Sequence, residues 1–451
     1  MKKLLALATA SAMALSMVAC GGSPASSAST AASTDSSSST AATTDTAAAT
    51  TTGSGELTVW CWDPAFNIYA MQEAEKVYQK DHPDFKLNIV ESPWNDIQTA
   101  LTTAGSAGDT STLPDIFLCQ DNAFQKNVKS FPGLFTDITD SGVPFSDFSQ
   151  SKVAYSVVDG KNYGVPFDNG TVVMPVRTDI LEQAGYTVAD FTDLTWSEYI
   201  TKAQDVVAKT GKPMLSMQAG ESDLIMMMLQ SAGASLFDDQ GNPQIAGNDA
   251  VKEVLEVYAQ LISTGVLTQV NDWDQYVATL TNGDVASTIN GCWILASIQT
   301  AEDQSGLWAI TDMPKLEKTS GATNYSNNGG SSWAVSANCK DVALAEDFLK
   351  STFAGSVDLY NTILPASGAI ATYAPAAEAT AYNEPQEFFG GDAIYAKIIE
   401  FGGKVPSNNT GVYYYEGRDA VATALTNIIN GADVDSELTN AQSTIEFAMG
   451  G

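Results

Sequence analysis

The chain has 451 residues and carries 21 basic against 53 acidic side chains, a formal net charge of -32, with a single histidine, His82. Such a field repels phosphate, so nucleic acid and anionic lipid headgroups are excluded as electrostatic partners. One histidine also rules out a site of two or three imidazole ligands and makes any Ser-His-Asp triad depend on His82. Hydrophobic residues at 44% and aromatics at 9% supply material for a large core, so the chain reads as globular.

The first residues read as an export signal. Lys2 and Lys3 give a positive start, and Leu4 to Ala19 form an apolar run too short to span a bilayer. Met17-Val18-Ala19-Cys20-Gly21 resembles the lipobox of bacterial lipoproteins, with Met17 in place of the commoner Leu. That resemblance implies cleavage before Cys20, diacylglycerol on its thiol and anchoring without a transmembrane helix. The implied location is the extracytoplasmic face of a cell membrane in a Gram-positive bacterium. From Gly21 to Gly55 only Gly, Ser, Pro, Ala, Thr and Asp occur, and nothing in this stretch repays the entropy of ordering. It reads as a tether, and a flexible coil of that length reaches roughly 30 to 35 Å. The chain beyond it is long enough for two to three domains at about 150 residues each.

The folded part alternates strand and helix signals. Leu57-Thr58-Val59-Trp60 is strand-like, and Phe66, Ala70, Ala74 and Val77 recur at helical spacing until Asp81-His82-Pro83 stops them. His82 therefore falls in a turn before proline, a position of punctuation more than of catalysis. Leu87 to Val90 is a second strand, Ile97 and Leu101 mark a helix, and Asp115 to Leu118 is a third strand. The segment reads β-α-β-α-β, with mostly parallel pairing expected. Further on, Thr195 and Glu198 form a T-x-x-E capping box that opens a helix carrying Ile200, Ala203 and Val207 and ending at Gly211. Met226, Met227 and Met228 read as core packing, since no partner ligands accompany them. Asp238 to Asn242 lacks the later Glu of a calcium loop and reads as a hairpin turn. Val251, Val254, Leu255, Tyr258 and Ile262 predict another helix, and Val285 to Ile289 a strand leading to Gly291-Cys292-Trp293. The cysteines at 61, 119, 292 and 339 form no C-x-x-C pair, so no zinc site is expected and buried free thiols are favoured over disulfides.

Several ordered segments resemble the extracellular solute-binding proteins of ATP-binding-cassette importers, in the carbohydrate-binding branch that contains maltose-binding protein. They are TVWCWDPAFN at Thr58, LPDIFLCQDNAF at Leu113, DGKNYGVPFDNG at Asp159, LTWSEYITKAQDV at Leu194, NGDVASTINGCW at Asn282, NNGGSSWAVSANCKDVALAEDFL at Asn327, and the final helical stretch from Gly417. The resemblance implies an α/β fold of the two-lobed periplasmic-binding-protein type, with discontinuous lobes, a hinge and a ligand held between them. Lobe one is expected over residues 56–166 plus 322–372 and lobe two over 167–321 plus 373–451, with hinge crossings near Val165-Pro166, Gly321 and Thr372. Cys119 stands where the maltose binder has a stacking tryptophan, which argues against a maltose-type ligand.

Sheets of this kind present ligand-binding residues beyond the carboxyl ends of their strands. Trp62 and Asp63 follow the first strand, Gln120 and Asp121 the third, Phe167 and Asp168 the first crossing, and Trp293 a strand of lobe two. A pyranose packs its C–H face on an aromatic ring, and a carboxylate accepts two vicinal hydroxyls. On that chemistry Trp62 and Trp293 would supply contact area, and Asp63, Asp121 and Asp168 would fix orientation. Trp273 and Trp333 are further candidates, whereas Trp94 and Trp196 are assigned to packing. The run Tyr413-Tyr414-Tyr415 is irregular for a strand face. The resemblance places a stacking aromatic near it, for which Tyr414 is the candidate. The expected role is delivery of a sugar or oligosaccharide to the importer's permease subunits by a monomeric, non-enzymatic protein without metal or cofactor. Two alternatives remain open at this level: a binder of a cationic solute such as a polyamine on the same fold, and an extracellular glycosidase.

Overall fold

The computed structural model describes residues 55–238, 240–407 and 410–450. The export signal, Cys20 and nearly all of the tether lie outside them. The predicted β-α-β-α-β start forms as β1 (Glu56–Cys61), helix Tyr69–Tyr78, β2 (Lys86–Glu91), helix Trp94–Ala107 and β3 (Ile116–Gln120). Both β2 and β3 pair with β1 in parallel. Then follow the short hairpin β4 (Val157–Val158) and β5 (Lys161–Asn162), the long β6 (Val165–Arg177), β7 (Leu215–Gln218) and β8 (Leu267–Val270). The last strands are β9 (Asn290–Gly291), β10 (Trp308–Thr311) and β11 (Asn327–Val335). The main sheet runs β10-β6-β11-β3-β1-β2, with β9 also on β6, and β7 pairs β8 in a separate parallel ribbon.

The thirteen residues of β6 are all buried except Asn169, so the strand is covered on both faces even at its polar residues Asp168, Thr171 and Arg177. Its first half pairs antiparallel with β11, from Val165 opposite Trp333 to Thr171 opposite Asn327. Its second half pairs with β9 and β10. One strand thereby runs through two hydrophobic cores. The first gathers Val59, Leu118, Phe167, Trp333, Phe348 and their neighbours; the second gathers Met174, Trp196, Leu215, Met227, Leu255 and Val421. The two cores divide the α/β fold into two lobes. A further cluster under the middle of β6 joins Val173, Tyr276, Ile294, Trp308 and Tyr395.

Two glycines permit the close approach of β6 and β11. A Cβ on Gly170 would lie 1.9 Å from the Asn328 carbonyl oxygen. Gly330, at φ 104°, holds a conformation that a side chain would strain, and a Cβ there would lie 2.6 Å from Asp121 Oδ2. The register of the two strands shifts at this point, between Asn327 and Gly330 and again between Ser331 and Ser332.

Local signals in the second lobe act as expected. Thr195 and Glu198 exchange capping-box hydrogen bonds at the start of helix Trp196–Thr210, which ends at Gly211 with φ 74°. Its buried face is Trp196, Tyr199, Ile200, Ala203 and Val206, with Val207 rotated half out. The three methionines are core residues of helix Asp223–Ser231. Asp238 accepts from the backbone N–H groups of Gln240 and Asn242, and Phe237 bridges Pro243, so this run is a hairpin turn. His82 stacks on Tyr78 at 4.1 Å in the turn before β2. Cys61, Cys119 and Cys292 are buried free thiols, and Cys339 is half-buried and free.

One predicted strand does not form. Val285 to Ile289 pairs only through an isolated bridge from Ser287 to Val176, and regular pairing begins at Asn290. The segment is wedged between β6 and the chain before β7. The N–H groups of Ala286 and Ser287 bond to Pro213 and Met214, while that of Thr288 bonds to Pro175. With its donors divided between two neighbours, the apolar run lies buried without a single ladder.

Candidate functional site

The turn after β1 is built by Asn67 and Asp63. Asn67 Oδ1 accepts from the N–H groups of Trp62 at 3.0 Å and Asp63 at 3.1 Å, and Asp63 Oδ1 accepts from those of Ala65 at 2.9 Å and Phe66 at 3.0 Å. Asp63 is thus a buried cap, and burial pushes its carboxyl pKa up. The same turn sets the half-buried Trp62 against Trp94, with ring centroids 5.7 Å apart, and Trp94 lies 6.4 Å from Tyr415. The indole N–H of Trp94 is buried without a hydrogen-bond partner.

Helix Tyr414–Ile429 brings its first turn to this group. Tyr415 donates its hydroxyl to Gln120 Oε1 at 2.6 Å and meets Tyr414 edge-on. Arg418, three and four residues on, returns over both rings, its guanidinium carbon 5.6 and 5.7 Å from their centroids. Its Nε donates to Ser222 Oγ at 2.8 Å, and its head group pairs with Asp223 and lies 3.6 Å from Glu221. Asp223 continues the network, since its Oδ2 accepts from Asn328 Nδ2 at 3.2 Å.

Asn328 leads to a second aromatic group. Its carbonyl accepts from Trp293 Nε1 at 3.0 Å, and its Nδ2 also reaches Asn290 Oδ1 at 2.8 Å. Trp293 packs 5.7 Å from Trp273, and both indoles are half-buried. Trp62, Trp94 and Tyr415 at one end and Trp273 and Trp293 at the other are therefore joined through Arg418, Asp223 and Asn328. Aromatic faces beside a fixed guanidinium and carboxylates can pack against a ligand's C–H surface while hydrogen bonding its polar edge.

The remaining predicted residues lie deeper. Asp121 pairs with Lys152 and accepts from Ser332 Oγ at 3.0 Å; Asp168 accepts from Ser331 N at 2.9 Å and from its hydroxyl. Lys152 also donates to the Ser331 carbonyl at 2.9 Å. All three charged groups are buried, and burial, countered by Lys152, pushes Asp121 up to about 6. The sequence offered Asp63, Asp121 and Asp168 as acceptors for ligand hydroxyls, but their hydrogen bonds are taken within the protein. Phe167 and Trp333, 5.3 Å apart, are fully buried among Phe66 and Phe353, so they frame the site from inside the core.

Sequence reasoning placed Trp94 with packing residues, took Tyr414 rather than its neighbour Tyr415 from the tyrosine run, and passed over Arg418, Asp223, Asn328 and Lys152. Only Arg418 had a readable signal, its helical spacing from Tyr414 and Tyr415. Among the described residues no cluster of His, Cys, Asp or Glu is arranged to hold a metal, and no helix is long and apolar enough to cross a membrane.

A two-lobed α/β fold in which one strand runs through both cores, with aromatic and charged side chains gathered from both beside it, defines the class of solute-binding proteins. Residues 73–389 match the family of bacterial extracellular solute-binding proteins, and the chain belongs to it. It is 39% identical to the lactose-binding protein of Rhizobium radiobacter over 385 residues, 85% of this chain and 91% of that one. With the arabinooligosaccharide-binding protein of Bacillus subtilis (strain 168) it shares 26% identity over 66% of this chain and 69% of that one. The GacH receptor of Streptomyces glaucescens superimposes with a TM-score of 0.74 at 16% identity, over 86% of this chain and 97% of that one. An ABC-transporter-associated binding protein from B. animalis subsp. lactis Bl-04, solved with β-1,6-galactobiose, also gives 0.74, at 21% identity over 87% and 97%. These two likenesses confirm the fold expected from the sequence. The family and these relatives are binding proteins.

Proposed function

We propose that this protein binds a short galactose-containing oligosaccharide of the lactose class and hands it to the permease subunits of an ABC importer, without catalysing a reaction. The observation that carries this reading is the 39% identity to a lactose-binding protein along 85% of the chain. The site chemistry agrees with it. Trp62, Trp94 and Tyr415, with Trp273 and Trp293, offer aromatic faces for sugar rings, and Arg418, Asp223 and Glu221 lie beside them for hydroxyls. A glycosidase is disfavoured because the buried carboxylates are engaged in internal pairs.

In this reading lobe one comprises residues 56–166 plus 322–372 and lobe two 167–321 plus 373–451; the second core keeps to the lobe-two ranges, while Phe167, Ala296, Tyr373 and Ala376 pack into the first core at the seam. The lobes close on the sugar because both must supply partners before its hydroxyls are satisfied, so the ligand favours the closed form. The monomer would be tethered through lipidated Cys20 on the outer face of a Gram-positive cell membrane.

Calorimetry of the full chain with lactose, β-1,6-galactobiose and maltose tests the proposal. The galactosides are expected to bind and maltose to bind weakly. Replacing Trp62 or Trp293 by Ala should each remove on the order of 2 kcal/mol, about thirtyfold in affinity. No heat with any saccharide would overturn the assignment.

A further inference from the structure

Beside the aromatic cleft, a second set of contacts joins the two cores directly. Helix Asp121–Ser130 belongs to the first lobe, where Ala123 and Phe124 pack with Phe117 and Phe135. Helix Tyr414–Ile429 belongs to the second, through Val421 and Leu425. Where these helices meet, Lys126 forms an ion pair with Glu416, at 31% and 26% side-chain exposure, and Gln120 receives the Tyr415 hydroxyl at 2.6 Å. Glu416 follows Tyr415 directly, so whatever fixes Glu416 also fixes the ring that completes the Trp62-Trp94-Tyr415 row. The second carboxylate oxygen of Glu416 is buried and unpartnered, which leaves this acid dependent on Lys126 for neutralisation.

We propose that Lys126 and Glu416, together with the Gln120–Tyr415 hydrogen bond, form a latch between the lobes that positions Tyr415 and holds the binding cleft closed. Lys126 and Glu416 act on the aromatic row through Tyr415, the neighbour of Glu416, so both are positioning residues. The inference rests on the two-lobed binding reading but not on the identity of the sugar. Opening the lobes separates the two helices, and an ion pair that exists only when they meet adds its energy to the closed form alone. A partly screened pair of this kind shifts the open-to-closed balance by roughly fivefold. It also weakens with salt, because exposed edges of the contact admit counterions.

The full-length protein and its Lys126→Gln, Glu416→Gln and exchanged Lys126→Glu/Glu416→Lys variants would be compared by small-angle scattering without ligand and by calorimetry with lactose as the probe. Each single substitution is expected to enlarge the ligand-free radius of gyration and weaken lactose binding about fivefold, with the exchanged pair restoring both. Raising salt from about 50 to about 500 mM should enlarge the wild-type radius but leave the Lys126→Gln radius nearly unchanged. A purely structural role would lower the melting temperature without this salt and exchange behaviour. Wild-type radii in both single variants, or an exchanged pair no closer to wild type than they are, would overturn the latch. If lactose gives no heat with the wild type, the sugar assignment fails, while the radius comparison still decides the latch.

Discussion

Lys152 pairs with the buried Asp121 and lies beside the buried Asp168, and its removal is the sharpest test of how the junction of β6 and β11 is held. Lys152→Met keeps the length and apolar stem of the side chain but leaves Asp121 and Asp168 buried and unpaired, with the Ser331 carbonyl deprived of its donor. Breaking a buried pair by removing one partner costs about 3 to 5 kcal/mol, more than the pair's net worth, because the remaining charge has no compensation. The cost depends on pH in a definite direction. The Asp121 carboxyl stands at about 6 against an ordinary 3.8, so the folded state binds protons more tightly than the unfolded one. Its contribution to stability is therefore full below the ordinary value and is lost as pH rises through the folded value. At about 1.4 kcal/mol per unit, ionising Asp121 in place already costs roughly 3 kcal/mol with Lys152 present. Without Lys152 the folded value moves higher still, so the deficit of the variant should be largest at neutral pH and shrink as pH falls toward 5. Urea unfolding of both proteins, followed by tryptophan fluorescence at several pH values, measures this. Taking the difference between the two proteins cancels the general effect of acid on so negative a chain. A deficit below about 1 kcal/mol at neutral pH, or one independent of pH, would refute the assignment of Lys152 as the compensating charge.

Gly170→Ala should destabilise the protein by several kcal/mol or force β6 and β11 apart, since its Cβ would sit 1.9 Å from the Asn328 carbonyl; thermal unfolding and ligand affinity would both register it. Cys20→Ala should release the protein from the membrane fraction into the medium, because it removes the proposed acyl chains. A variant that stays in the detergent phase would rule out that anchor.

The sequence by itself determined the opening β-α-β-α-β elements and their order, together with several later helices. The alternation at Leu57 to Trp60 and the helical spacing from Phe66 to Val77 read correctly because each buries one face within a few residues of chain. The capping box at Thr195 and Glu198 read correctly for the same reason, its partners being three residues apart. The aromatic residues following strand ends, Trp62 and Trp293, also came from local placement, and the structure sets both half-buried in the network. Tertiary structure decided which polar groups remained available to a ligand. Asp63, Asp121 and Asp168 look alike in sequence, yet one caps a turn, one takes Lys152 and one takes Ser331, partners that in the last two cases arrive from 31 and 163 residues away. The same long-range pairing buried Phe167 against Trp333 and divided the backbone donors of Ala286, Ser287 and Thr288 between two neighbours. Tyr415 likewise acquired its partner only when the carboxyl-terminal helix met Gln120 of the first core, and Arg418 and Asp223 theirs only when that helix packed beside helix Asp223–Ser231. Local periodicity reports which face of an element is buried, whereas the free energy of a polar side chain is set by the groups that the fold brings to it, and those separations leave no pattern in the chain.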